Sequence, residues 1–195
     1  MSDLLVAAPL RIEAALISSA TRSALVHKTG MGPHRSRAAA RELDSRAARA
    51  LLVVGFCGGL DETSVPGEVI VAEEVYAAPD ENHPEPPVRC DLAGPLVARL
   101  TGLGLKVRVG RVVCVSRIAV GERRGELHSS GAIAVDMESV WLGAGAAGRP
   151  FGVVRVVLDS PSHELIRPQA VGGALRAARA LRKVAAALQD WGPGD

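Results

Sequence analysis

Short apolar runs separated by segments of helical pattern constrain this sequence more than any other feature. The clearest run is LLVVG at residues 51–55, and such a continuous apolar run is typical of a strand buried on both faces of a parallel sheet. The predicted strands are Leu4–Ala8, Ala24–Lys28, Leu51–Gly55, Glu68–Val75, Lys106–Arg117, Ala132–Val135 and Gly152–Leu158. The predicted helices are Arg35–Leu43, Leu92–Leu103, Glu122–Ser129, Met137–Ala147 and Gln169–Trp191. This alternation predicts an α/β fold with a mainly parallel sheet.

The composition limits the class of protein. With 195 residues, 48% of them hydrophobic, and no internal repeat, the chain suits one globular domain over residues 1–195. A net charge of +2 gives no reason to expect nucleic acid as a partner. Three widely spaced cysteines indicate neither a disulfide framework nor a metal site, which favours a reducing cytoplasm. The N-terminal residues lack the pattern of a signal peptide, and no apolar run is long enough to cross a membrane.

Two segments lie outside the strand pattern. The last helix has apolar residues at spacings of three and four, which predicts that one face packs on the sheet and leaves its arginines in solvent. That face comprises Val171, Leu175, Ala178, Leu181, Ala185 and Leu188. The segment Ala77–Arg89 is rich in proline and charge and predicts a loop, either a lid or a spacer.

Glycines follow two of the predicted strands, where ligands gather in α/β sheets. The stretch Gly55–Gly59 would let backbone approach a ligand closely, although a plain tight turn explains it equally well. Gly30 and Gly32 precede Pro33 at a helix start, which suits an anion or hydroxyl site as well as an ordinary helix beginning.

Acidic residues follow three further strands. Glu13 starts a helix, where a carboxylate favours the helix dipole. Asp136 suits a helix cap, while Glu138 could accept hydrogen bonds from a vicinal diol such as that of ribose. Asp159 ends an apolar strand, where weak solvation would raise its pKa and let it donate a proton near neutral pH, unless it only caps a helix. Several such groups at one edge of one sheet favour a functional site.

The ordered motifs TGMG at 29–32, GFCGGLDETSVPGEVIVAEEV at 55–75, AVDMES at 134–139 and VVRVVLDS at 153–160 resemble the nucleoside phosphorylase and nucleosidase superfamily. The resemblance runs from about Leu4 to Asp159. It implies a three-layer αβα fold with a mainly parallel mixed sheet, an enzyme that needs no metal or organic cofactor, with inorganic phosphate as a conceivable co-substrate, and a homodimer or larger homo-oligomer.

The resemblance also implies roles for individual residues. Asp159 would protonate the departing purine at N7, and Glu13 would position or deprotonate water. Glu138 would hold the ribose hydroxyls. The remaining residues implied to bind substrate are Met137, Phe56, Cys57, Gly58, Gly30 and Gly32.

The tail from Ser160 onward resembles the hopanoid-associated members, which implies adenosylhopane, a lipid-linked nucleoside, as substrate and adenine as product. Methylthioadenosine/adenosylhomocysteine or futalosine hydrolysis and a noncatalytic nucleoside-binding domain remain the alternatives. Phe56 cannot bind phosphate through its side chain and Glu13 would repel it, which favours water as the nucleophile. Arg35 or Arg117 could instead supply a cation to an anion site.

Overall fold

The computed structural model describes residues 3–162 and 170–192. The strands are β1 (Leu4–Ala8), β2 (Ala24–Lys28), β3 (Ala50–Gly59), β4 (Val69–Ala77), β5 (Val88–Arg89), β6 (Val107–Cys114), β7 (Ala132–Asp136) and β8 (Phe151–Asp159). The helices are α1 (Arg11–Ser18), α2 (Pro33–Asp44), α3 (Ala93–Gly102), α4 (Glu122–Ser129), α5 (Ser139–Gly143) and α6 (Ala170–Ala187), and a 3₁₀ turn at Ala144–Ala146 follows α5. No helix among these residues is long and apolar enough to cross a membrane.

The strands form one mixed sheet in which parallel pairs predominate, as predicted. Strand β3 lies in parallel between β1 and β8, and β4 joins β8 to β6. Strand β7 pairs with β6 and, at Gly58 and Gly59, with β3. The strands β3, β8, β4, β6 and β7 therefore close into a ring, which brings the ends of β3, β7 and β8 together.

Helices cover both faces of the sheet, which confirms the predicted three-layer architecture. Residues alternate between the faces along each strand: on β3, Leu52 and Val54 pack with α1, α3 and α6, while Leu51 and Val53 pack with α2 and α5. Phe151, the first residue of β8, belongs to the second cluster and is buried.

Of the two interpretations of Gly55–Gly59, the plain tight turn is wrong. These residues continue β3, which pairs with β8 as far as Gly58. A Cβ at Gly59 would lie 2.4 Å from the Cβ of Ser64, and one at Gly58 would lie 3.1 Å from Val135 Cγ1. The glycines thus let β3 run close to its neighbours and close the ring.

The predicted buried face of the last helix is partly wrong. Val171 and Leu175 are 70% and 53% exposed. The first turns instead approach the protein through Gly173, where a Cβ would lie 3.2 Å from Pro66. The residues of α6 and its C-terminal extension that are buried against the sheet are Ala177, Leu181, Val184, Ala185, Ala187 and Leu188. The predicted helix start at Gln169 lies outside the described residues.

The loop between β4 and β5 is tied to its surroundings. Trp141 Nε1 donates to the carbonyl of His83 at 2.9 Å, and Arg37 pairs with Glu85 at 2.7 Å. Ser116 N donates to Glu81 at 2.9 Å, which fastens the loop to the segment after β6. These contacts indicate that the loop is a spacer that supports its neighbours. They do not favour a freely closing lid.

We expect Leu181→Ala to lower the free energy of unfolding by about 2–5 kcal/mol, because it opens a cavity at a fully buried site on α6. The matched control Leu175→Ala removes the same atoms from an exposed site on the same helix and should change stability by less than about 0.5 kcal/mol. Urea unfolding of both variants measures the difference. Equal losses would contradict this orientation of α6.

Candidate active site

A pocket of about 170 Å³ opens where β3, β7 and β8 end. Most of the predicted site residues line it, although they come from distant parts of the chain. Those that line it are Glu13, Phe56, Cys57, Gly58, Met137, Glu138 and Asp159. These residues lie together because the strands β3, β8, β4, β6 and β7 close into a ring.

The two predicted glycines before α2, Gly30 and Gly32, do not line the pocket themselves. Both have a left-handed backbone, with φ of +91° at Gly30 and +89° at Gly32, a conformation that glycine adopts without strain. Met31 between them lines the pocket. The Gly32 amide donates to Glu138 Oε1 at 3.4 Å, so this turn contacts a site carboxylate through its backbone.

Glu13 reaches from the first turn of α1 into the buried end of the pocket, where it is 1% exposed. One carboxylate oxygen accepts the Leu10 amide and the other accepts the Phe56 amide, both at 2.6 Å. A Cβ on Gly55 would lie 2.6 Å from Glu13 Oε1 and 2.8 Å from Arg155 Nη1. Glycine is therefore required at residue 55 for these two charged groups to approach β3.

Arg155 is one of two buried cations of the site, and its side chain has no exposed surface. It rises from the middle of β8 and places Nη2 2.6 Å from Asp136 Oδ2 and 3.2 Å from Glu138 Oε2. The same nitrogen donates to Ser139 Oγ at 3.0 Å. One guanidinium thus connects the start of α5 to the centre of the sheet.

Asp136 orients this arrangement. Its Oδ1 accepts the amides of Glu138 and Ser139 at 3.1 and 3.3 Å, so it caps the start of α5 as the sequence suggested, and its Oδ2 pairs with Arg155. The helix begins at Ser139 and not at Met137 as predicted. Glu138 consequently stands just before the helix, not in its first turn, and lines the pocket.

Three carboxylates share the single charge of Arg155, and their ionisation differs accordingly. Burial raises the pKa of Glu138 to about 7, with Asp136 and Glu13 adding to the rise and Arg155 opposing it. Burial likewise raises the pKa of Glu13, against Arg155 and the two amides. Burial would also raise the pKa of Asp136, but the Arg155 guanidinium outweighs it and holds that pKa below its ordinary value. Glu138 can therefore exchange protons near neutral pH.

Asp159 lies at the other end of the pocket, beside Gly58. Its Oδ2 accepts a hydrogen bond from Arg124 Nη2 at 2.6 Å. Arg124 is itself buried and comes from the first turn of α4. Arg124 is therefore a cationic partner of Asp159, a contact that the apolar run before Asp159 does not indicate.

Neither buried arginine was predicted as part of the site, and two other arginines were considered as its cation instead. Arg35 and Arg117 are exposed and do not line the pocket. An arginine inside an apolar strand, as in VVRVV, was the available signal for Arg155, because a buried cation requires acidic partners nearby. Nothing local distinguishes Arg124 from its neighbour Arg123.

Cys57 also lines the pocket, but its thiol is not reactive. Burial raises the pKa of the Cys57 thiol well above its ordinary value, so it is a poor nucleophile. Among the residues that the structure describes, no group of three or more His, Cys, Asp or Glu side chains could hold a metal ion.

A mixed sheet with buried carboxylates and two arginines around a pocket at its strand ends defines an α/β protein with an enzyme-like site. The sequence matches the Phosphorylase superfamily over residues 11–188, and the chain belongs to that family. This membership confirms the predicted enzyme class of nucleoside phosphorylases and hydrolases.

Several solved structures share the fold. S-adenosylhomocysteine nucleosidase from Streptococcus pyogenes is 17% identical, with 94% of this chain and 95% of that chain covered at a TM-score of 0.76. Futalosine hydrolase from Helicobacter pylori is 15% identical, with 95% and 94% covered at a TM-score of 0.78. The 5′-methylthioadenosine/S-adenosylhomocysteine nucleosidase from Campylobacter jejuni is 13% identical, with 98% and 100% covered at a TM-score of 0.80.

These similarities establish the fold and do not distinguish a substrate. No curated protein matches the sequence. The predicted hopanoid-associated subfamily stays a prediction, and part of the tail on which it rests, residues 163–169, lies outside the described residues.

We expect Arg155→Met to lower the free energy of unfolding by about 3–5 kcal/mol near pH 8, because it leaves buried carboxylates without their cation. Without that cation the carboxyl pKa values of the folded state rise above those of the unfolded chain. The folded state then binds more protons, so the deficit should shrink as pH falls towards 5.

Urea unfolding at pH 8 and pH 5 measures this effect, with Arg117→Met at an exposed site as the matched control. A deficit that is equal at both pH values would contradict the assignment of Arg155 as the counterion of the site.

Proposed function

We propose that this protein hydrolyses the N-glycosidic bond of an adenosyl compound and releases adenine. The observation that carries the proposal is the placement of Glu13, whose carboxylate accepts both the Leu10 and Phe56 amides at the buried end of the pocket. Backbone amides of this kind would otherwise suit an anion such as phosphate. Because a carboxylate already occupies them, an incoming phosphate dianion would be repelled, whereas water would be activated.

The chemistry follows from the two ends of the pocket. A purine leaves readily once protonated, and Asp159 is the residue proposed to supply that proton to N7. The C1′–N9 bond then breaks with its electron pair on the base, while the ribosyl carbon becomes positively charged. Buried carboxylates stabilise such a charge. Water adds at C1′ and gives its proton to Glu13, whose pKa is raised by burial, so that it accepts a proton more readily than an ordinary carboxylate.

The spacing of these groups suits a nucleoside. Glu13 contacts β3 at Phe56, and Asp159 lies beside Gly58 on the same strand. Two residues along a strand span roughly 6–7 Å, which separates a water on one side of the ribose from the base on the other. Glu138, between α5 and the sheet, would accept the hydrogen bonds of the ribose diol, with Met137 beside it.

An apolar 5′ substituent is proposed for the substrate, with adenosylhopane as the compound that the sequence predicts. Met31 and Ile118 line the pocket and are nevertheless 43% and 71% exposed. An apolar group would cover these side chains on binding, which is favourable. Methylthioadenosine, adenosylhomocysteine and futalosine remain the alternatives to be compared directly.

The first test is release of the base from adenosylhopane, methylthioadenosine, adenosine and futalosine, measured by chromatography with and without phosphate. We expect release to be independent of phosphate, since Glu13 fills the place of an anion. Asp159→Asn should lower the rate about 10²- to 10⁴-fold, the usual contribution of a general acid.

The outcomes separate the candidate functions. Release that requires phosphate would overturn hydrolysis in favour of phosphorolysis. Binding of a nucleoside without release, unchanged by Asp159→Asn, would favour the noncatalytic alternative. Release from futalosine alone would replace the adenosyl assignment.

The second test concerns the ionisation of Glu138. Its pKa of about 7 means that the carboxylate becomes the dominant form as pH rises above neutrality, and the carboxylate accepts diol hydrogen bonds that the neutral acid accepts less well. We expect KM to fall roughly tenfold between pH 6 and pH 8, because the ionised fraction of a group with a pKa of about 7 rises from about one tenth to about nine tenths over that range. In Glu138→Gln this dependence should disappear.

The matched control for Glu138 is the 2′-deoxy form of the same substrate, which presents one hydroxyl fewer and should respond less to pH. A KM that keeps its full pH dependence in Glu138→Gln would exclude Glu138 as the ribose-binding group.

A further inference from the structure

Helix α6 carries basic side chains without any acidic residue between them. The basic residues are Arg176, Arg179, Arg182 and Lys183, all of them exposed, and the helix contains no Asp or Glu. Arg179 lies three or four residues from each of the other three, so like charges are neighbours on the helix surface. Solvated helix faces ordinarily mix both signs of charge. The repulsion on α6 is therefore relieved only when an anion approaches from outside.

Three of these cations line a second cleft, of about 440 Å³, between α6, the turn before β4 and the segment before β6. Lys106 adds a fourth cation from the residue before β6, and we call this region of Lys106, Arg176, Arg179 and Lys183 the basic cleft. Among residues 3–162 and 170–192, none of the four forms an ion pair. Glu68 also lines the cleft, but its buried carboxylate already pairs with Arg108 at 3.2 Å. The basic cleft thus presents uncompensated positive charge.

Exposed apolar side chains accompany the basic cleft. Val65 lines it directly, and Leu103 lies in the segment between α3 and β6 that lines it as well. Val171 and Leu175 lie in the first turns of α6, just before the basic residues. These four side chains are between 46% and 70% exposed. Transfer of such side chains from water to an apolar phase is favourable, so this surface combines apolar and cationic groups that both lack a partner.

We propose that the basic cleft and the exposed face of α6 bind the protein to the surface of an anionic phospholipid bilayer. The cations contact headgroup phosphates, and the apolar side chains enter the boundary between headgroups and acyl chains. The helix lies in the plane of the interface, since no helix of the described residues is long and apolar enough to cross a membrane. This inference goes beyond the proposed function and does not depend on it.

Other anions fit this surface less well. A soluble phosphate compound would bind the cations alone and leave Val171 and Leu175 in water. Single-stranded nucleic acid would meet the charge, but its bases stack on aromatic side chains, and the described residues that line the cleft include none. The bilayer is the partner that uses both the charged and the apolar part of the surface.

Cosedimentation of the full chain with vesicles tests the inference. Vesicles of equal parts phosphatidylglycerol and phosphatidylcholine are compared with vesicles of phosphatidylcholine alone. We expect at least about tenfold tighter binding to the anionic vesicles, because each basic side chain near such a surface contributes roughly fivefold to the partition coefficient. Binding should weaken as the salt concentration rises, since salt screens these charges.

Variants locate the binding surface. Arg176→Gln with Arg179→Gln removes two charges from the basic cleft and should weaken binding about 20- to 30-fold. The matched control, Arg41→Gln with Arg46→Gln, removes two exposed charges from α2 and the segment after it, on the opposite face of the sheet, and should bind within about threefold of the unchanged chain. Leu175→Ala should weaken binding about three- to tenfold through lost apolar contact. Thermal unfolding checks that each variant is folded.

Several results would overturn the inference. They are equal binding to both kinds of vesicle, equal losses in the two double variants, and an affinity that Leu175→Ala leaves unchanged. Tight binding of inorganic pyrophosphate in calorimetry, without binding to vesicles, would assign the basic cleft to a soluble anion instead. No nucleoside is present in these measurements, so their failure is distinct from a failure of the proposed function, which only the release of the base tests.

Discussion

The burial of Arg155 in the centre of the sheet is the constraint on which the site depends. A guanidinium without exposed surface requires acidic partners, because an unpaired buried charge is very costly. Asp136 at the end of β7 and Glu138 just before α5 meet that requirement, and Glu13 contributes from α1. The cation therefore fixes the position of three elements relative to β8 and at the same time collects the carboxylates that the proposed reaction uses.

The excess of carboxylates over cations gives these acids different tasks. Asp136 is held charged by Arg155 and serves structure, since it caps α5 and orients the guanidinium. Glu13 and Glu138 are left with raised pKa values, and Glu138, with a pKa of about 7, can change protonation near neutral pH. At the opposite end of the pocket, Asp159 has an arginine of its own. In the proposed reaction, the proton-accepting end of the site at Glu13 is thus separated from the proton-donating end at Asp159.

Much of the fold was predictable because its signals are local. Strands β1 and β2 and helix α4 have the predicted bounds, since apolar runs and helical spacing are properties of neighbouring residues. Where a neighbour in space decides the conformation, the prediction was wrong. Gly55–Gly59 looks like a turn in sequence but continues β3, because β8 and β7 supply hydrogen-bonding partners on both sides. Leu175 looks like a core residue but is exposed, because Gly173 allows the first turns of α6 to approach the Pro66 turn instead.

The sequence by itself determined the α/β class, the order of the elements and the acids that follow the strands, because each of these depends on residues that are adjacent in the chain. The ordered motifs also sufficed to indicate the family. Only the tertiary structure decided which cations serve those acids. Arg155 and Arg124 are 31 residues apart and look like any other arginines, and it is the closure of the sheet that brings one to Glu138 and the other to Asp159. Long-range pairing sets the charge of each carboxylate, and with it the chemistry open to the pocket.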